Sequence, residues 1–513
     1  MSVASAKPLR GARIAKVLEV VDRVGNKLPH PFWLFVILAG LLIPLSAVLD
    51  QVGASGVSTA DGSVVEVRSL LTPDGLLHML GDVIPSFVSF PPLGLIVVVA
   101  LGVSLADAGG LLSALMRGML ARVRPRMVTF TIAITAMGAQ VASDAAFAVM
   151  IPLGMIAYRA VGRSPVLGAV VTYVSLGGAS SIGLLPTSSD VVFAGLSTAA
   201  ASTVDPTYQV APLANYFFAA TSALVLAVSI TIVTETVVAR RVAVLEAEEP
   251  SLEGEPLPAM QLTPGERSGM VAAAITALVF IAVVVLAVVP TASPLRGEAG
   301  SIVDSPLMDN MAVFMMLFFG ATGLAFGVRA GTITRAGDVP TMMATGVREL
   351  VPVIVLFFAA SQFLSWFKWT NIGQFIAVEG ARFLGHIDAP PLVIFVVAIL
   401  IISCMNLLLT SGSSMYALIA PVLVPMLMLV DIHPETTQAM FRVADAPTNS
   451  LTPMSPYFVM ALGFIQRCRP TAGIGTLMSL VLPLALVNLV VWTILFVLWF
   501  ALGLPLGPGV PVR

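Results

Sequence analysis

The chain has 513 residues, of which 58% are hydrophobic and only 11% charged, with a net charge of −2. A soluble domain carries roughly 25% charged residues, so this composition excludes an ordinary soluble fold and indicates a polytopic membrane protein. The near-neutral balance gives no reason to expect a nucleic-acid partner.

In chain order, residues 1–30 carry Lys7, Arg10, Arg13, Lys16, Arg23 and Lys27 ahead of a long apolar segment. This is the pattern of a signal anchor with a cytoplasmic N-terminus. Continuous spans of roughly the ~20 residues a bilayer requires read at 31–50, 91–121, 211–240, 266–290, 308–328, 349–367 and 474–503. The polar stretch 51–75 reads as an external loop or cap. Segments 128–160 and 391–430 are apolar, too long for one helix, and interrupted near the middle by small polar residues; each reads as a re-entrant hairpin. Segments 164–203 and 434–467 read as broken spans. Residues 241–265 are acidic and Pro-rich, the composition of a cytoplasmic linker.

Loop charge supports this count. Arg117, Arg122, Arg124, Arg126, Arg159, Arg163, Arg240, Arg241, Arg267, Arg329, Arg335, Arg348, Arg467 and Arg469 all fall on the cytoplasmic side, against Arg68, Arg296, Lys368 and Arg382 outside. The bias survives every crossing only if neither hairpin crosses. The expected fold is therefore all-α, with nine transmembrane helices plus two re-entrant hairpins in an inverted repeat, and two broken helices. The repeats are 31–240 and 308–503, and the single span 266–290 turns the second upside down.

The polar interruptions recur in pairs: QVASDAA (140–146) with GGASSIGLLPTSSD (177–190), and TSGSSMY (410–416) with RVADAPTNSLTP (442–453). Pro152 and Pro165 match Pro421 and Pro434 at one common offset. Polar backbone at membrane depth is tolerated only when buried in protein or lining a cavity, and paired breaks in two halves mark a transporter's central site.

Ionisable residues within membrane segments are costly and functional by default; here they are Asp107, Asp144, Asp190, Arg442 and Asp445. Arg442 and Asp445 share a helical face. The guanidinium suits a substrate carboxylate, and Asp445 suits charge balance or a proton or sodium ion; the alternative is a structural ion pair. Asn406, Thr410, Ser411, Ser413 and Ser414 at the second hairpin tip, with Thr448, Asn449 and Thr452 in the following break, supply oxygens for substrate or a small cation. They equally suit helix capping. A sodium site would fall near Asn406, Thr448 and Asn449. Asp190 and Asp144 are the first-half candidates for ion coupling, with N-capping as the alternative, and Asp107 has no repeat partner. Pro434 and Pro453 mark helix breaks. Tyr416 is an aromatic surface for a ligand ring or a packing residue. Cys404 and Cys468 lack metal-ligand spacing. There is no P-loop, HExxH or GxSxG with a polar triad, which argues against ATP drive and against an enzyme.

At these residues the chain resembles the AbgT family of p-aminobenzoyl-glutamate transporters. The resemblance is carried by RVGNKLPHPFWLF (23–35), SDAAFAVMIPL (143–153), NLLLTSGSSMYALIAPVLVPML (406–427) and FRVADAPTNSLTPMSPYF (441–458). It implies a homodimeric carrier of the bacterial inner membrane, driven by a proton or sodium gradient without other cofactors. Family substrates are p-aminobenzoyl-glutamate, which is taken up, or sulfonamide antimetabolites, which are exported. The family's transport positions fall on Asp190, Asn406, Ser413, Pro434, Arg442, Asp445 and Pro453. Two positions depart from the pattern: Tyr416 stands where the family has Trp, and Gly183 where an Asn is expected. A dicarboxylate or citrate carrier, which shares paired hairpins with polar tips, is the alternative substrate class.

Overall fold

The computed structural model describes residues 31–57, 64–120, 124–142, 145–178, 182–248, 261–297, 300, 305–387, 390–407, 409, 411–453 and 455–512. Among them the fold is helical, apart from one antiparallel hairpin of β1 (Ser55–Val57) and β2 (Val64–Glu66). The first half comprises α1 (Pro31–Gln51), α2 (Pro73–Gly81), α3 (Val83–Val88), α4 (Pro91–Ala108), α5 (Leu111–Leu120), α6 (Val128–Ala139), α7 (Ala145–Ala160), α8 (Pro165–Gly177), α9 (Ser188–Ala201) and α10 (Tyr216–Val233). A π-helical turn at Thr234–Val238 carries α10 into α11 (Ala239–Glu248), and α12 (Pro264–Val288) follows. The second half comprises α13 (Pro306–Asp309), α14 (Met311–Ala330), α15 (Asp338–Glu349), α16 (Val351–Trp369), α17 (Ile372–Ile387), α18 (Pro391–Asn406), α19 (Gly412–Met428), α20 (Pro434–Asn449), α21 (Pro456–Cys468) and α22 (Ile474–Ala501).

Seven of these helical stretches are long and apolar enough to cross a bilayer, and each overlaps one of the seven continuous spans read from hydropathy. Their outer faces are apolar, as a lipid environment requires: α12 leaves Leu278 and Leu286 69% exposed. The four interrupted segments all fold as helix–break–helix: α6/α7, α8/α9, α18/α19 and α20/α21. Proline placement explains the alternation. Pro165, Pro434 and Pro456 open helices at positions where the missing N–H costs nothing. Pro152 and Pro421 sit inside the second arms α7 and α19, in matching places. Pro453 lies in the break between α20 and α21.

Three sequence expectations need correction. The span 91–121 is two helices, because Gly110 adopts φ +89° and ends the run after α4. The segment 241–265 begins helical: α11 extends through Glu248, and residues 249–260 lie outside the described set. The stretch 51–75 holds the β-hairpin and the start of α2, which Thr72 caps by accepting from the Gly75 N–H at 3.1 Å.

The halves pack closely where side chains are small. A Cβ on Gly102 of α4 would stand 2.2 Å from the Met316 carbonyl oxygen of α14, so only glycine permits that crossing. Within the first half, a Cβ on Gly154 of α7 would lie 2.0 Å from the Thr172 hydroxyl of α8.

Candidate functional site

The breaks within these helix pairs converge. Tyr173 of α8 donates to the Ser450 carbonyl at 3.2 Å, bringing the end of the first broken helix to the second break. Gln140 at the end of α6 donates to the Leu176 carbonyl at 3.1 Å, tying the end of α6 to the same place. Thr452 donates to the Leu407 carbonyl at 3.4 Å, joining the second break to the end of α18.

At this convergence the chain buries charge. Arg442, in the middle of α20, is 1% exposed, and its Nη1 donates to Asp190 Oδ1 at 2.5 Å. The guanidinium also lies over the Phe193 ring, 5.1 Å from its centroid. Asp190 is set for this role by a capping box: its Oδ2 accepts from the Thr187 backbone N–H at 2.6 Å and hydroxyl at 2.8 Å. One carboxylate oxygen therefore fixes the start of α9 while the other faces Arg442. Shared position on α20 pointed to Asp445 as the partner of Arg442; the structure pairs the arginine with the other half of the chain instead.

Asp445 heads a second cluster. It is 2% exposed, its Oδ2 accepts from Asn449 at 3.0 Å, and its backbone carbonyl accepts from Asn406 at 2.5 Å. Asn406 also donates to the Thr448 hydroxyl at 2.9 Å. Asp445 Oδ1 and Asn406 Oδ1 are buried and have no hydrogen-bond partner among the described residues. Two orphaned acceptor oxygens on neighbouring side chains have the chemistry of a proton or small-cation site. Gly412, unnoticed in the sequence, makes the arrangement possible: a Cβ there would stand 2.7 Å from Asp445 Oδ2. The positive N-terminal end of α19 thus comes against the carboxylate. Ser411 caps that end with a 3.4 Å acceptance from the Ser414 N–H, and its hydroxyl lies 3.4 Å from that of Ser413.

Tyr416 is fully buried, 4.7 Å from Phe441 and 5.3 Å from Phe193 between ring centroids. Its hydroxyl pairs with Ser197 at 2.7 Å. In this conformation the ring is covered, and it links α19 to α9. Gly183 lines a small crevice with Asp190, Pro186 and Tyr216. A Cβ at Gly183 would meet the Met137 carbonyl oxygen at 3.1 Å, so a side chain there fits only if the α6 backbone gives by a few tenths of an ångström. Asp107 lies apart, in the last turn of α4. Asp144 and Thr410 lie outside the described residues. Among the described residues no group of three or more His, Cys, Asp or Glu side chains could hold a metal ion.

Comparison with known proteins places this architecture. The model of the AbgT putative transporter family matches residues 16–513. The p-aminobenzoyl-glutamate transport protein of Escherichia coli (strain K12) is 36% identical over 494 residues, covering 96% of each chain. Two relatives of solved structure superpose with a TM-score of 0.88. The Alcanivorax borkumensis YdaH transporter is 34% identical and covers 94% of this chain and 100% of its own. Neisseria gonorrhoeae MtrF, described within a class of antimetabolite efflux pumps, is 35% identical and covers 96% of this chain and 100% of its own.

Proposed function

This chain belongs to the AbgT putative transporter family, and from that premise we propose that it is an ion-gradient-driven secondary transporter of p-aminobenzoyl-glutamate-like compounds. The name of its Escherichia coli relative supports that substrate class. The relation to MtrF supports export of sulfonamide antimetabolites as a second mode of the same site. Our reading of the architecture is nine crossings and two re-entrant hairpins in an inverted repeat. The N-terminus is cytoplasmic, and the homodimer sits in the bacterial inner membrane. The halves 31–240 and 308–503 are joined by 241–265 and the span 266–290.

The observation that carries the mechanism is the ion pair of Arg442 with Asp190, which spans the two halves. A buried guanidinium without a counter-charge costs several kcal/mol, so Arg442 keeps a carboxylate in every state. In the substrate-free state that carboxylate belongs to Asp190. In the loaded state the glutamate moiety of the substrate takes its place, with Asn406, Ser413 and Asn449 lining the polar side and Tyr416 turning its face to the aromatic ring. Asp190, released, accepts a proton or cation; Asp445, with its orphaned Oδ1, is the second ion-coupling residue. A sodium ion, as cargo, would be held near Asn406, Thr448 and Asn449. Substrate entry and ion entry are thereby the same exchange, which is how a carrier avoids leaking either alone.

The test is transport of labelled p-aminobenzoyl-glutamate by membrane-inserted Arg442→Ala and Asp445→Asn proteins. Both are expected to be inactive at wild-type expression. Wild-type flux in either would remove the residue from the site. Competition by succinate but not by a sulfonamide would shift the substrate class to dicarboxylates.

A further inference from the structure

The polar residues of α20 form one stripe. Glu435, Gln438, Arg442, Asp445 and Asn449 follow each other at alternating steps of three and four, the spacing of a single helical face. At ~1.5 Å per residue the stripe runs roughly 21 Å along the helix axis. Its upper rungs are satisfied by the first half of the chain: Asn215 donates to Gln438 Oε1 at 2.9 Å, and Tyr208 donates to Glu435 Oε2 at 2.9 Å. Glu435 is the one acid of this stripe that the transport reading leaves unused. It is 5% exposed, and no arginine or lysine is paired with it among the described residues.

Its connection to solvent is built from two rings. His433, half-buried at the N-cap of α20, has Nδ1 3.0 Å from the Tyr208 oxygen. The Tyr208 hydroxyl therefore accepts from the imidazole Nδ1–H while donating to Glu435. Burial, with the Glu435 carboxylate beside it, pushes the Tyr208 hydroxyl above the usual phenol range, so it conducts a proton without losing its own. Among the described residues the other titratable groups facing this corner are few. Asp205 lies on the same loop as Tyr208, and Tyr416 comes from α19. Among the helices packed on α20, α22 carries no titratable side chain, and α9 contributes Asp190, already paired with Arg442. Helix α8 contributes Tyr173, bonded to Ser450, and α18 contributes Cys404, which is exposed.

We propose that Glu435 is a proton-binding residue of the transport cycle, loaded from solvent through His433 and Tyr208. In the loading step the imidazolium gives its Nδ1 proton to the Tyr208 oxygen as the Tyr208 proton passes to Glu435 Oε2. The products are neutral imidazole and a carboxylic acid, with the phenol unchanged. Neutralising Glu435 removes a buried charge from the first turn of α20, the helix that carries Arg442 and Asp445. The inference rests on the carrier reading above and adds a proton site to it.

The experiment uses full-length protein in proteoliposomes with labelled p-aminobenzoyl-glutamate in two modes: net accumulation under an imposed pH difference, and counterflow at equal pH. Glu435→Gln is expected to lose at least about tenfold in net accumulation and to keep counterflow within about twofold, because exchange requires no net proton movement. Tyr208→Phe should slow accumulation several-fold with counterflow kept. Wild-type accumulation in Glu435→Gln overturns the proposal, as does loss of both modes, which marks a structural residue. Wild-type accumulation under a sodium gradient alone also overturns it. Absence of counterflow in the wild type would instead defeat the carrier reading itself.

Discussion

Gly412→Ala introduces one methyl group at the point where α19 meets Asp445. The added Cβ would stand 2.7 Å from Oδ2 and 3.3 Å from Cγ and Oδ1, whereas ordinary contact begins at 3.4 Å. The carboxylate must retreat by several tenths of an ångström, yet Asn449 holds Oδ2 and Asn406 holds the Asp445 carbonyl. Overpacking of this kind costs about 1–3 kcal/mol, equivalent to roughly 5- to 150-fold in an equilibrium constant. Gly463→Ala is the matched control. It lies inside α21 with nothing within 4 Å of its added Cβ, and alanine in a helix interior is favoured by roughly 0.5–1 kcal/mol. Equilibrium binding of p-aminobenzoyl-glutamate to the purified proteins, with thermal unfolding alongside, reads both. Gly412→Ala should weaken binding by that factor, and Gly463→Ala should bind as wild type with an equal or higher Tm. Wild-type affinity in Gly412→Ala would refute the claim that the tip of α19 and Asp445 form one site.

Asp190→Asn removes the carboxylate charge to which Arg442 Nη1 donates. The usual cost of breaking a buried pair is about 3–5 kcal/mol, and the 14% exposure of Asp190 places this case near the lower end. Because substrate supplies the missing anion, p-aminobenzoyl-glutamate should raise the Tm of this variant more than that of wild type; an equal rise would count against exchange of partners at Arg442. Tyr416→Phe removes the bond to Ser197 and should lower stability by about 1 kcal/mol, read as a lower Tm; an unchanged Tm would mean the bond contributes nothing. Outside the membrane, Asp338 accepts from the Arg335 and Thr334 amides, which hold its carboxyl below the usual range. A depressed carboxyl pKa stabilises the fold above the unfolded value of about 3.9 and loses that contribution as pH falls through the folded value. Asp338→Asn should therefore speed hydrogen exchange at those two amides at neutral pH, with the difference vanishing in acid.

The long spans were legible because twenty apolar residues in a row leave little choice of structure. The breaks were legible because glycine, serine and proline stand where lipid would otherwise demand an unbroken helix. The short helices α2, α3, α15 and α17 were not, since they mix polar and apolar residues over lengths that suit loops equally well. At the site, Arg442, Asp445 and Asn406 stood out as polar residues in apolar surroundings. Their pairing did not, because the partner of Arg442 is 252 positions away and three-residue spacing favoured Asp445. Gly412 escaped notice because its role is an absence of side chain, visible only once Asp445 is placed opposite it.

The central claim is that one buried site couples substrate to an ion gradient through Arg442. Its most direct test is flux of labelled p-aminobenzoyl-glutamate into proteoliposomes under separately imposed proton and sodium gradients, for wild type and Arg442→Ala. The account predicts uphill accumulation in wild type that one of the two gradients drives and its ionophore abolishes, and none in Arg442→Ala. Flux that only equilibrates, indifferent to either gradient, or accumulation that survives loss of Arg442, would contradict it.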